Sequence, residues 1–456
     1  MTEVERLAEF VNRANYRAIS ERARRQLKLH VLDSLGCAIG ALAAEPITAI
    51  RTHLEDFGGN PACTLIGGGK TAADRAAFYN GALVRYLDFM DSYLAKGETC
   101  HPSDNLSAVL AAAEYADASG ERLLTALAVA YQVHARLSDE APVRIRGFDH
   151  TTQGAYAVGA GVAKALGLDP VRTANAVALA GVGNVALRVT RTGALSHWKG
   201  LAYPNTAFVG THAAFLAMRG ITGPAQVFEG NKGFKESVSG PYRIDWPAED
   251  LERVNRTIVK KYDAEIHAQS AIEGALELRR RHGFTAAAVT QVEIEIFNIA
   301  HRIIGGGEEG DKTIVRTKEE ADHSLQYMIA AALCDGELLP RQYAPKRILA
   351  SDVQHLLRQV TVRPNAELSA RFPEEMPCRV AISLEDGRRL EVEKRDYEGF
   401  HTRWMSWDSV VRKFHDLAAP RAAPDQCSAI ARAVSQLENM RVRELTALLA
   451  QIGETR

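Results

Sequence analysis

The hydrophobic period of this chain changes once and then changes back, and that pattern limits the folds open to it. Up to about residue 285, apolar residues recur at helical spacing. Ser20 to Ala43, SERARRQLKLHVLDSLGCAIGALA, starts amphipathic and becomes almost wholly apolar, as a helix entering a core does. Segments 71–87, 104–118, 121–137, 152–166, 170–180 and 204–219 repeat the theme; many are rich in Ala and Gly, which lets helices approach closely. At VTQVEIEIFNIA the period drops to two, the mark of a strand. RQVTVRP follows, then the hairpin CRVAISLEDGRRLEVEKRD with a tight-turn signal at Asp386-Gly387. Helices return at SWDSVVRKFHDLA. The expected fold is mainly α: a large all-helical domain made by both chain ends, residues 1–266 and 396–456, with a smaller α+β domain, 267–395, inserted between them.

A chain of 456 residues is long enough for two cores. Its 55 Lys and Arg nearly cancel its 56 Asp and Glu, so no whole-chain field favours nucleic acid or an anionic membrane, and any anion specificity is local. No stretch is apolar for long enough to span a bilayer. The N-terminus lacks the basic patch and apolar run of a signal peptide. Six cysteines without CxxC spacing argue against a zinc ribbon or disulfide scaffold, so a reducing cytoplasm is expected.

Several motifs fall short of the chemistry they suggest. In GGGKT, Gly67 to Thr71, the first glycine of a phosphate loop would fall on Thr64; the stretch reads as a turn followed by a helix capped at Thr71. GVGNVA, Gly181 to Ala186, follows a helix-like segment rather than a strand and reads as close helix packing, not dinucleotide binding. Cys100-His101 has no second Cys/His pair at ligand spacing, so no metal is expected. A Ser-His-Asp hydrolase would need a GxSxG elbow, which is absent.

The polar clusters that interrupt apolar helices carry more. LDFMDSYLAKGETCHPSDN, Leu87 to Asn105, gathers Asp88, Asp91, Ser92, Cys100, His101, Ser103 and Asp104. Leu83, Leu87 and Met90 would form the buried stripe of a helix with Asp88 and Ser92 on one face, and HPSDN would start the next helix with Ser103 or Asp104 as cap. Alone, this stretch reads slightly better as a well-capped connection. The pattern recurs: His150 precedes an apolar helix, Arg191, His197 and Lys199 share a Gly-rich connection, His267 heads another helix, and His323 and Tyr327 stand four apart on a further one. Cations, imidazoles and carboxylates without a cofactor loop suit proton abstraction beside a carboxylate.

The chain closely resembles the MmgE/PrpD family, which includes 2-methylcitrate dehydratases, cis-aconitate decarboxylases and iminodisuccinate epimerases. The likeness runs through DSLGCAIGA, LDFMDSY with HPSDN, HWKGLAYPNTA, EGNKGF, YDAEIHAQSAIE, DHSLQYMIAAALCDG and MSWDSVVRKF. It implies a helical domain with a lid-like α+β domain, a homodimer, and an active site between the domains that needs no cofactor.

Carried over by position, the family's DFDDT and HPS motifs correspond to Asp88, Ser92 and His101. Its histidine after the GF segment looks like His150, its S-x-K-x-x-A lysine like Lys199, its junction histidine like His267, and its HSxQY tyrosine like Tyr327. Met90 replaces an Asp, and Ser92 a Thr. HPSDN and HAQSAIE look more like the 2-methylcitrate dehydratase branch than the decarboxylases, implying a cofactor-independent lyase that removes water from 2-methylcitrate or a related hydroxy-tricarboxylate. The catalytic residues implied are Asp88, His101, Lys199, His267 and Tyr327, with Ser92, Ser103, His150 and Arg191 on substrate; Tyr327 is the candidate proton donor. Decarboxylation of cis-aconitate, epimerisation or isomerisation, and binding of an acid without turnover are the alternatives.

Overall fold

The computed structural model describes residues 1–192, 196–307 and 310–453. Residues 193–195 of the Arg191 to Lys199 connection and the last three residues of the expected helical domain lie outside it. Among the described residues helices dominate, and the strands belong to two short hairpins and one four-stranded sheet. The chain divides into two compact units, residues 1–257 with 406–456, and residues 258–405. These limits differ from 267 and 395 because the flanking segments bond inward to the inserted unit: Val259 N–H donates to Gly399 O (2.9 Å) and Asp263 N–H to Leu338 O (3.0 Å).

In the larger unit, Thr151–Leu166 packs against Gly120–Glu140, Pro170–Val182 and Trp198–Met218. The two chain ends meet where Trp407–Ala418 lies on Glu21–Gly40. A methyl on Gly36 would stand 3.2 Å from Phe414 Cα, and the buried Lys413 pairs with Asp33 at 2.6 Å. The glycine of GVGNVA serves the packing expected of it. A Cβ on Gly181 would lie 1.9 Å from Tyr156 Cε1, and Tyr156 is itself locked against Phe228 and Phe234. Gly181→Ala should therefore destabilise the fold by about 1–3 kcal/mol, the usual cost of overpacking; an unchanged denaturation midpoint would contradict this.

The larger unit is not all-helical. Cys63–Thr64 pairs with Lys70–Thr71, and Tyr93–Ala95 with Glu98–Cys100. The first pairing also moves the helix start past Thr71. Gly67, Gly68 and Gly69 all take positive φ (89°, 103° and 85°), which only glycine adopts cheaply in series, and they turn the chain back so that Thr71 pairs with Cys63. Ala73–Tyr86 begins instead behind Ala72, which provides no side-chain cap.

In the inserted unit the strand order is Val360–Pro364, Val289–Ile296, Cys378–Leu384, Arg389–Lys394; the first pair is parallel and the others antiparallel. Val292, Ile294 and Ile296 face Ile382, Val380 and Cys378 in register, all buried. The alternate residues carry ion pairs, such as Arg379 with Glu393 at 2.7 Å. Gln269–His282 and Leu325–Asp335 pack against this sheet. Among the described residues, no single helix is long and apolar enough to cross a membrane.

Candidate active site

The apolar spacing of Leu83, Leu87 and Met90 does mark buried residues, but the helix that carries Leu83 stops at Tyr86. Asp88 takes a φ of 55° and turns the chain out of the helix, so Asp88 and Ser92 do not share a helical face. Residues 93–100 instead form the small hairpin, with Tyr93 opposite Cys100. A 3-10 turn, Pro102–Asn105, then feeds Leu106–Tyr115. Neither Ser103 nor Asp104 caps that helix; Ser103 donates its hydroxyl (2.6 Å) and its N–H (3.1 Å) to Asp91 Oδ1. The hydroxyl proton expected to serve substrate is thus committed within the protein.

His101 is buried, and its Nδ1 lies 2.7 Å from Asp91 O and 3.2 Å from Ser92 Oγ. A carbonyl oxygen only accepts, so Nδ1 carries the proton and the neutral ring keeps Nε2 as its basic atom. His150 stands edge-on to His101, ring centroids 5.5 Å apart. Burial, then the positive charges of Arg191 and Arg85, hold the His150 imidazole well below its ordinary value, so it is neutral near pH 7.

Three connections converge here. Arg191 donates to both Asp149 oxygens (2.8 and 3.4 Å) and to Lys199 O (2.9 Å), tying the start of the Thr151–Leu166 helix to that of Trp198–Met218. Much of the donor capacity expected for substrate is spent on this clamp. Burial pushes the Asp149 carboxyl up, but Arg191 beside it outweighs that and holds it below the usual range. Lys199 Nζ lies 3.6 Å from Asp88 Oδ2, and the buried Arg85 lies 3.6 Å from Asp88 and 3.9 Å from Asp104. Cys100 packs with Tyr93, Ala95 and Ala135, and burial pushes its thiol far above the range in which a thiolate forms.

Asp104 is the strained member of the set. Its carboxyl is buried, its Oδ2 has no hydrogen-bond partner, and burial raises it from 3.8 to about 7 against the pull of Arg85 and Arg191. Between pH 3.8 and 7 the folded state therefore binds more protons here than the unfolded state, and this group's contribution to stability falls as pH rises through that window. Asp104→Asn should remove the loss. Its stability relative to wild type should grow by up to a few kcal/mol from pH 4 to pH 8, at about 1.4 kcal/mol per pKa unit. A pH-independent difference in urea titrations would contradict this.

The inserted unit holds its own histidines. His267 is buried ahead of Gln269–His282, with Nδ1 2.7 Å from Glu265 Oε1 and its N–H donated to Glu265 Oε2 at 2.8 Å. Although burial raises Glu265, the charge and hydrogen bonds of His267 bring it down to about 2, so a carboxylate orients this ring. His323 Nδ1 bonds the Asp322 carboxylate. His323 and Tyr327 do not share a helix: Lys318–Ala321 ends first, and Ser324 caps Leu325–Asp335 by accepting from Tyr327 N–H. The fully buried Tyr327 donates its hydroxyl to Gln342 O, so its phenolic proton is engaged by the main chain rather than offered to a substrate.

Sequence reading passed over Arg85, Asp149 and Glu265. Each had a local signal: a lone cation in apolar GALVRYL, and carboxylates one and two residues before His150 and His267.

Comparison with known proteins decides the lineage. Residues 5–247 match the MmgE/PrpD N-terminal domain and residues 262–439 the MmgE/PrpD C-terminal domain. The chain belongs to the MmgE/PrpD family. It is 29% identical to the 2-methylcitrate dehydratase of Cupriavidus necator over 91% of this chain and 90% of the relative. It is 30% identical to that of Escherichia coli K12 over 85% and 84%. It is 24% identical to the cis-aconitate decarboxylase of Mus musculus over 91% and 86%. The chain is thus a lyase of this family, 2-methylcitrate dehydratase-like in sequence.

Proposed function

We propose that this lyase removes water from 2-methylcitrate, or a closely related hydroxy-tricarboxylate, without a metal or organic cofactor. The observation that carries the reading is the His101 ring, held through Nδ1 so that Nε2 is its basic atom, on a stretch whose Asp88 pairs with the cations Lys199 and Arg85. His101 Nε2 takes the proton from the carbon next to a substrate carboxylate. The charge that develops on that carboxylate is stabilised by Lys199, with Arg85 behind Asp88. The carbon–oxygen bond to the leaving hydroxyl then breaks as the double bond forms. The imidazolium at His101 returns its proton to the departing oxygen as water, which balances the reaction. His267, oriented by Glu265, is assigned to a substrate carboxylate. Ser92 and His150 are assigned hydrogen bonds to the substrate, while Tyr327 is not assigned the leaving-group proton.

Relatives named 2-methylcitrate dehydratase favour this substrate, and the murine cis-aconitate decarboxylase makes decarboxylation the second reading. Product analysis with 2-methylcitrate, citrate and cis-aconitate tests both. A methylaconitate from 2-methylcitrate supports the dehydratase reading; itaconate and carbon dioxide from cis-aconitate, with no elimination from the other two, would replace it. A cytoplasmic homodimer belongs to the same proposal. It is supported by the six cysteines without CxxC spacing and by the exposed Ile145, Leu187 and Val189, with Phe148 bridged to Leu187; light scattering tests the dimer.

A further inference from the structure

Asp91 is one of the carboxylates of the 87–105 stretch that the proposed chemistry does not touch. It is completely buried. Its Oδ1 accepts from the Ser103 N–H and hydroxyl, its Oδ2 accepts from the Tyr131 hydroxyl at 2.9 Å, and His30 Nδ1 lies 3.3 Å from Oδ2. Its own main-chain carbonyl receives the His101 Nδ1 proton. The hairpin 93–100 lies between residues 91 and 103, so the Asp91 carboxylate closes the base of a loop, and His101 stands at that base, two residues before Ser103. The layer beneath is also tied down. Lys413 Nζ, paired with Asp33, donates to Phe89 O at 2.8 Å, and the His30 ring packs on Tyr131 with centroids 5.7 Å apart. Residues on both sides of His101 are thereby held by one buried network whose common member is Asp91.

We propose that Asp91 is a positioning residue for His101: its carboxylate, gripped by Ser103 and Tyr131, holds the Asp91 carbonyl where it fixes the orientation and tautomer of the imidazole. This rests on reading His101 as the proton-transferring group. The physical requirement is strict, because a ring that flips or exchanges its N–H presents a donor where the reaction needs a base. Asparagine at this position keeps the volume but has only one accepting atom. With the amide oxygen on Ser103, the NH2 faces the Tyr131 hydroxyl, which must give up its donated bond and turn to accept; with the amide reversed, the Ser103 N–H meets an NH2 and loses its acceptor.

The test is Asp91→Asn in the full-length protein. Groups that orient a reacting side chain are typically worth about 10- to 100-fold. Turnover number should fall by that order with KM little changed. In the substrate-free protein, 15N imidazole spectra, with His101 assigned by comparison with His101→Asn, should show the Nδ1–H tautomer in wild type and a mixture of tautomers in Asp91→Asn. If Asp91→Asn does not fold, Tyr131→Phe removes one donor from the same carboxylate and should shift the tautomer in the same direction. An unchanged His101 tautomer in the folded variant overturns the proposal, whether or not turnover falls. The tautomer readout needs no substrate, so it is decided separately from the identity of the acid that the enzyme dehydrates.

Discussion

His101→Asn should lose turnover by about 10²- to 10⁴-fold, the range that a positioned acid–base group contributes, while keeping its fold. Asparagine can still donate to the Asp91 carbonyl in place of Nδ1–H, so the loop that bears residue 101 retains its anchor. It has no nitrogen that can accept a proton near neutral pH. The loss should therefore fall on turnover number rather than on KM, and it should persist across the pH range instead of shifting along it. A variant that turns over normally would remove His101 from the mechanism and leave the neutral, buried His150 to be tested in its place.

Lys199→Ala should be nearly as damaging, with a loss of about 10²- to 10³-fold, comparable to removing one preorganised donor from an oxyanion site. Under the proposed mechanism the ammonium, unlike His101, faces a substrate anion before and during reaction, so KM should rise as turnover falls. Its partner in the resting structure is Asp88, 3.6 Å away, which sets up a double-mutant test. If Asp88 mainly holds Lys199, the Asp88→Asn and Lys199→Ala effects should be less than additive when combined. Additive losses would give Asp88 a role that does not pass through the lysine.

The large features of the fold were legible because burial imposes a period. The switch at Val289 from helical spacing to alternation marked the sheet, and Asp386-Gly387 marked its hairpin, where Gly387 takes a φ of 83°. The histidines at the heads of helices were legible too: His150 and His267 stand there, whereas His197, read as part of a connection, stands at the head of Trp198–Met218 and Lys199 lies within that helix. The failures share a cause. Leu83, Leu87 and Met90 are buried at helical spacing, yet burial constrains only which residues face inward, and a loop can do that once Asp88 adopts a positive φ. His323 and Tyr327 satisfy the same i, i+4 spacing across a break that Ser324 caps, a signal present in the letters but masked by the spacing. Tertiary partners were the least legible. Nothing near residue 91 announces Tyr131, and nothing near residue 149 announces Arg191.

The most direct measurement is an NMR time course of chelator-treated protein with 2-methylcitrate, run beside the His101→Asn variant under the same conditions. The wild-type protein should form a methylaconitate, and the variant should not on the same timescale. No elimination by the wild-type protein, or equal elimination by both, would contradict this.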